Sequence, residues 1–298
     1  MDRRRFTAVG ESDSLVRHIS GRAEVELTGR VPDFSTGACV ATDFGGEHKE
    51  ADFHTYGFLV CPGGSLAGWD AARREVRRPE LGTSVMGYKH LKDGRRERAL
   101  GRFLEIADDI PGFLAVVGVS KNVGLVGSED IKTHESVSAW KSNSREKLAR
   151  ILPMVVAFAG GVLVDDVDIT WVTDRDEITE GGRLQATADA LKAGLRGTCL
   201  GWRGELRAVS TAADDDDLLY EDFTAIPDLA AGAVCDVLNA DSIALPDDVA
   251  PKTRAIIRWM GCRNVPLTRL GYTLRRVEDG RLELAQLAWG DLEQAASR

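Results

Sequence analysis

The sequence predicts an α/β protein whose core is a mixed sheet flanked by helices. Three observations lead there. Two apolar strands, Ala38–Phe44 and Phe53–Cys61, open the core before any helical pattern begins. Strands and amphipathic helices then alternate, the pattern of a sheet with helices on its faces. Hydrophobic residues make up 43% of the 298 residues and charged residues 29%, enough apolar material for a sizeable core.

Residues 1–35 are polar and mixed, and are expected to be an N-terminal extension with one hairpin. The first strand stays apolar until it nears Asp43 and is broken by Gly45-Gly46. The second is closed by Pro62-Gly63-Gly64. Leu66–Arg78 reads as a helix stopped by Pro79. Arg95–Asp108 is a helix with Leu100, Phe103, Leu104 and Ala107 at helical spacing. Phe113–Val119 is a strand. Ser144–Phe158 is a helix capped by Ser144 and kinked at Pro153. Val167–Thr173 is a strand with Asp174 at its end. Arg183–Leu195 is a helix, Glu205–Ser210 a strand, and Asp214–Asp217 a solvated acidic loop. Ile226–Leu238 is a helix with Asp228 in its first turn. A helix at Thr253–Met260 and a hairpin turning at Glu278-Asp279-Gly280 complete the chain. The expected division is 1–35 extension, 36–240 principal domain, and 241–298 a small C-terminal addition of helix and hairpin.

Several function classes drop out. The longest apolar stretch, Ile151–Val164, is interrupted by Pro153 and Gly160-Gly161 and is too short for a membrane span. The basic N-terminus has no apolar segment after it, so no signal peptide is expected. Five cysteines (Cys39, Cys61, Cys199, Cys235, Cys262) lie without a C-x-x-C pair, which argues against a disulfide framework or structural zinc. A reducing, cytoplasmic location is the expectation. No dinucleotide fingerprint, P-loop or nucleophile elbow is present. His54 and His90 lack a second histidine at metal spacing and read as structural or surface residues. Net charge is −9, yet Arg73–Arg102 carries ten Lys/Arg against four Asp/Glu. Such a segment is either a set of solvated helix faces or a phosphate-holding surface beside an acidic body. Arg95, Arg96 and Arg98 lie in it.

Asp43, Asp174 and Asp228 are the candidate site. Two of them end apolar strands, where open α/β sheets place ligands. The third opens a helix of small apolar residues able to pack across that edge. Gathered carboxylates repel unless a cation joins them. Hard oxygen ligands suit Mg²⁺ or Mn²⁺, and two such ions clamp the attacking and leaving oxygens of a phosphodiester.

Five pieces in order resemble the bacterial DUF3800 family: Thr42-Asp43-Phe44-Gly45-Gly46, Tyr88-Lys89-His90-Leu91, the strand ending at Lys121, Thr173-Asp174-Arg175-Asp176-Glu177, and Ala225-Ile226-Pro227-Asp228-Leu229-Ala230-Ala231-Gly232. The resemblance spans roughly residues 38–240. It implies a ribonuclease H-like fold and a metal-dependent nuclease, with Asp43, Asp174 and Asp228 as metal ligands and Lys89 as a phosphate contact. Nucleic acid is the partner it implies. Two departures stand out. Phe44 and Gly45 occupy positions where Glu and Ser are expected, and no acid precedes Lys89. Glu47 or Glu177 is the expected substitute for the missing acid. The alternative is a catalytically inactive member that binds nucleic acid or a protein partner.

Overall fold

The computed structural model describes residues 27, 32–123, 135–160, 166–198, 202–214, 216–240, 249–278 and 282–287. Residues 1–26, Cys199 and part of the expected C-terminal turn therefore lie outside the described residues.

The first strand, β1 (Ala38–Gly45), runs antiparallel to β2 (Phe53–Pro62), which runs antiparallel to β3 (Gly112–Ser120). The chain then crosses back. β4 (Ile169–Thr173) lies parallel to β1 on its other side, and β5 (Leu206–Ser210) lies parallel to β4. At the far edge β6 (Leu267–Arg276) pairs parallel to β3, and β7 (Leu282–Gln286) pairs antiparallel to β6. The seven-stranded order is β5-β4-β1-β2-β3-β6-β7. The sheet grows one way from β1 through β3 and the other way through β4 and β5, so the β1/β4 junction is a switch point. This is an α/β fold, a mixed sheet with helices on both faces. The C-terminal hairpin extends the same sheet.

Six helices of ten or more residues are described: α1 (Leu66–Val76), α2 (Gly94–Asp108), α3 (Ser142–Gly160), α4 (Arg183–Thr198), α5 (Leu219–Leu238) and α6 (Pro251–Gly261). Side chains on a strand alternate between faces. Ala38 and Val40 of β1 therefore join Phe58, Trp171, Leu148 and Leu191 in the core beneath α3 and α4. Cys39 and Ala41 join Leu59, Val172, Phe103, Phe223 and Ile226 in the core beneath α1, α2, α5 and α6. Each fully buried Leu or Phe in these layers contributes about 1.5–3 kcal/mol. Among the described residues no helix is long and apolar enough to cross a membrane.

Three expectations need correction. The helix carrying Asp228 begins at Leu219, not Ile226, so Asp228 lies mid-helix. Pro227 resembles a helix-starting proline but sits inside the helix. The true start is set by Asp214, whose carboxylate accepts the N–H groups of Tyr220 (2.9 Å) and Glu221 (2.6 Å). Nor is the Asp214–Asp217 loop merely solvated: besides that cap, Asp217 accepts hydrogen bonds from Arg73 (2.6 Å) and Arg74 (2.9 Å). Finally, Pro79 does not end α1. The α-helix ends at Val76 and continues as a wider turn, Arg77–Leu81, that includes the proline.

Candidate active site

Strand register places the first two acids together. Thr42 of β1 pairs with Thr173 of β4 in parallel register. Asp43 and Asp174 are each the next residue, at the carboxyl ends of adjacent strands. Continuing the alternation of Cys39, Ala41 and Val172, both belong to the face covered by α5. They lie where a switch point opens a crevice at the strand ends.

Glycine sets the approach of the third acid. Gly57 of β2 pairs with Asp43. A Cβ at Gly57 would lie 2.5 Å from the Pro227 carbonyl oxygen, so only glycine lets α5 sit this close to the strand. Asp228 follows Pro227 and is thereby brought over the end of β1. Burial, the Asp228 charge and the Asp174 charge push the Asp43 carboxyl well up, and its carboxyl is hydrogen-bonded to that of Asp228. Burial also raises Asp228, opposed by the backbone N–H of Tyr88 and by Lys89. Burial thus raises both carboxyls, and the Asp228 and Asp174 charges raise Asp43 further.

Lys89 comes from a single turn of 3-10 helix, Tyr88–His90, fastened to α5. The Tyr88 N–H donates to Asp228 Oδ2 at 2.6 Å. Gly232, one helical turn further along α5, leaves room for the Tyr88 ring, since a Cβ there would lie 2.3 Å from it. The Tyr88 hydroxyl donates to Asp236 and lies 2.6 Å from the Thr253 hydroxyl. Lys252 stands 3.8 Å over the ring and donates to the Tyr88 carbonyl at 3.1 Å. The exposed Lys89 is thus held beside the acids, and its charge favours the ionised forms of both Asp43 and Asp228.

Glu47 and Glu177 are not the extra acid. Glu47 pairs with Lys147 of α3 at 3.0 Å, and the same ammonium lies 3.0 Å from Asp176. Glu177 accepts from Ser144 at 3.3 Å. The acid that does stand beside the site is Glu221, which the sequence reading missed. Thr211, directly after β5, donates to Asp174 Oδ1 at 3.0 Å. Burial raises the Glu221 carboxyl, the Asp174 charge raises it further, and the Thr211 hydroxyl opposes them. Glu221 and Asp228 are seven residues apart, two turns along one face of α5. That spacing was the available signal, hidden by the late helix start. The site therefore gathers Asp43, Asp228, Asp174, Glu221 and Lys89.

His54 stands apart from this group, whereas His90 follows Lys89 beside Asp228: burial, Lys89 and Arg96 lower its imidazole and the Asp228 charge opposes them. Burial, with Arg150 and Lys121 nearby, pushes His54 down to about 4. His90 is exposed.

The donor set is one of hard carboxylate oxygens, matched to Mg²⁺ or Mn²⁺ in chemistry. Among the described residues no three His, Cys, Asp or Glu side chains close into a ready-made ligand shell.

No family model matches this chain, and no curated protein matches it. Among solved structures it is similar to the ribonuclease H2 from Pyrococcus horikoshii OT3, at 14% identity and a TM-score of 0.34, over 74% of this chain and 85% of that one.

Proposed function

We propose that this protein is a divalent-metal-dependent nuclease that hydrolyses phosphodiester bonds. One observation supports the reading above others: Asp43 and Asp228 are packed together with Asp174 near enough to raise Asp43, opposed by one exposed lysine. Crowded, half-buried like charges cost stability, and a site that keeps them is suited to a cation from solution. Asp43, Asp228 and Asp174 would hold Mg²⁺ or Mn²⁺, with Glu221 a further carboxylate on the Asp174 side. A bound divalent ion supplies Lewis-acid polarisation of a phosphoryl oxygen. Lys89 contacts a phosphate oxygen and stabilises charge developing there. Tyr88 orients Asp228 through its N–H, and Thr211 orients Asp174. The five sequence pieces support placing the chain with the DUF3800 proteins. Three buried free thiols, Cys39, Cys61 and Cys235, suit a reducing, cytoplasmic setting.

Manganese titration with cleavage of labelled RNA and DNA tests the proposal. Saturable Mn²⁺ binding is expected in the wild type and lost in Asp174→Asn. Unchanged metal binding in Asp43→Asn, Asp174→Asn and Asp228→Asn alike would remove the site. A non-catalytic nucleic-acid binder is the second reading, favoured by the lack of an acid just before Lys89 in the sequence, Met86-Gly87-Tyr88-Lys89. Metal binding without cleavage of any nucleic acid would select it.

A further inference from the structure

We infer that Lys92, Arg95 and Arg98 form a docking surface for the phosphodiester backbone of a nucleic acid, continuous with the acidic site through Lys89. The choice of ligand rests on the nuclease reading. The surface itself stands on how the basic segment is used.

Most of the positive charge between Arg73 and Arg102 is consumed internally. Arg73 and Arg77 are buried against Asp222. Arg74 is paired with Asp70 and Asp217, Arg78 with Glu75, and Arg96 with Asp93 and the Val85 carbonyl. Arg102 lies 3.8 Å from Glu80. What is left is Lys89, Lys92, Arg95 and Arg98, all exposed and spaced three residues apart. Among the described residues Lys92, Arg95 and Arg98 make no ion pair and no side-chain hydrogen bond.

Their position is not explained by helix stability. Arg95 and Arg98 lie in the first turns of α2, where the helix dipole disfavours cations. On the same surface a cleft of about 530 Å³ opens between these two arginines and the Arg78–Gly82 turn. Nearby acids do not cancel the patch. Asp93 is held by Arg96 and caps α2, and Glu80 faces Arg102. Glu97 lies with Leu100, Leu104 and Lys252 on the side of α2 toward α6. An uncompensated row of guanidinium and ammonium groups leading to a carboxylate site suits a polyanion whose backbone runs along it.

The test is binding of short labelled RNA and DNA, single-stranded and duplex, to the full chain in EDTA across a range of KCl. The double variant Arg95→Ala with Arg98→Ala is expected to bind more weakly. Its slope of log K against log salt on duplex DNA should be shallower by about 1.8, two phosphate contacts at about 0.9 each. Both positions are exposed, so an unchanged thermal midpoint verifies folding. A control, Arg207→Ala with Arg258→Ala, removes equal charge from exposed positions elsewhere and should leave the slope unchanged. An unchanged slope in the first variant, an equal loss in the control, or polyglutamate competing as well as nucleic acid would each overturn the inference. Failure of the nuclease reading shows separately. A patch that behaves as expected while no metal supports cleavage removes the enzyme and keeps the surface. Intact cleavage with an unchanged slope does the reverse.

Discussion

Helix α5 carries two acids six residues apart, the fully buried Asp222 and the half-buried Asp228, and they are neutralised in opposite ways. Asp222 is fully buried and takes both its charged partners from the protein: Arg77 at 2.6 Å and Arg73 at 3.1 Å, on the same carboxylate oxygen. Those arginines reach on to Asp70, Asp217 and the carbonyls of Gly82 and Ser84, tying α1 and the following turn to the start of α5. Asp228 instead faces a second carboxyl, Asp43, with a backbone N–H and an exposed lysine as relief. Where the fold needs a fixed joint, it supplies the counter-charge itself. Where it leaves acids facing each other, the relief it supplies is one backbone N–H and one exposed lysine.

The largest expected effect breaks the self-neutralised joint. Arg77→Met leaves Asp222 with Arg73 alone and frees the Gly82 and Ser84 carbonyls. Removing one partner of a buried ion pair is expected to cost about 3 kcal/mol. Urea unfolding measures it. A loss no larger than that of an exposed arginine, such as Arg258→Ala, would show that the joint does not hold α1 to α5.

Next comes the joint between α5 and the sheet. Gly57→Ala places a Cβ against the Pro227 carbonyl, backbone against backbone, where nothing flexible can yield. Overpacking of this kind is expected to cost about 1–3 kcal/mol. Because the same shift moves Asp228 from Asp43, manganese affinity should fall along with stability. Gly68→Ala on α1, where a Cβ meets nothing, is the control expected to leave metal affinity intact. Loss of stability with metal affinity preserved would mean that the approach of α5 does not set the site.

How much of this was legible in the sequence follows the range of the forces involved. The strands ending at Asp43 and Asp174 were readable because apolar runs and the glycines after them are local signals. Their adjacency is a property of parallel register, which no local pattern states. The start of α5 is not legible locally because Pro227 imitates a helix-starting proline, whereas the cap that sets the real start comes from Asp214. That imitation hid Glu221. The basic segment was legible as a charge excess, but its division into buried arginines and a free row depends on acids about 140 residues away, Asp217 and Asp222.

The smallest stability effect sharpens the other half of the comparison. Asp43→Asn keeps the shape of the side chain and removes its charge, so its repulsion with Asp228 and Asp174 disappears. Without metal the variant should be more stable than wild type by about 0.5–2 kcal/mol, the range in which active-site groups trade stability for function. The pH dependence gives the sign independently. Asp43 and Asp228 are raised in the folded protein, and burial raises Asp222 to about 6 against Arg73 and Arg77. The folded chain therefore binds more protons than the unfolded one above the ordinary carboxylate range. These groups contribute stability that is complete at the acidic end of that window and lost as pH rises through their folded values, about 6 for Asp222. In Asp43→Asn the Asp43 share of that slope should vanish, while the shares of Asp228 and Asp222, both raised first by burial, persist. Adding Mn²⁺ at neutral pH should then stabilise wild type by mass action and leave the variant unmoved. If Asp43→Asn is instead less stable without metal, the carboxyls are not in conflict, and the contrast between the two ends of α5 collapses.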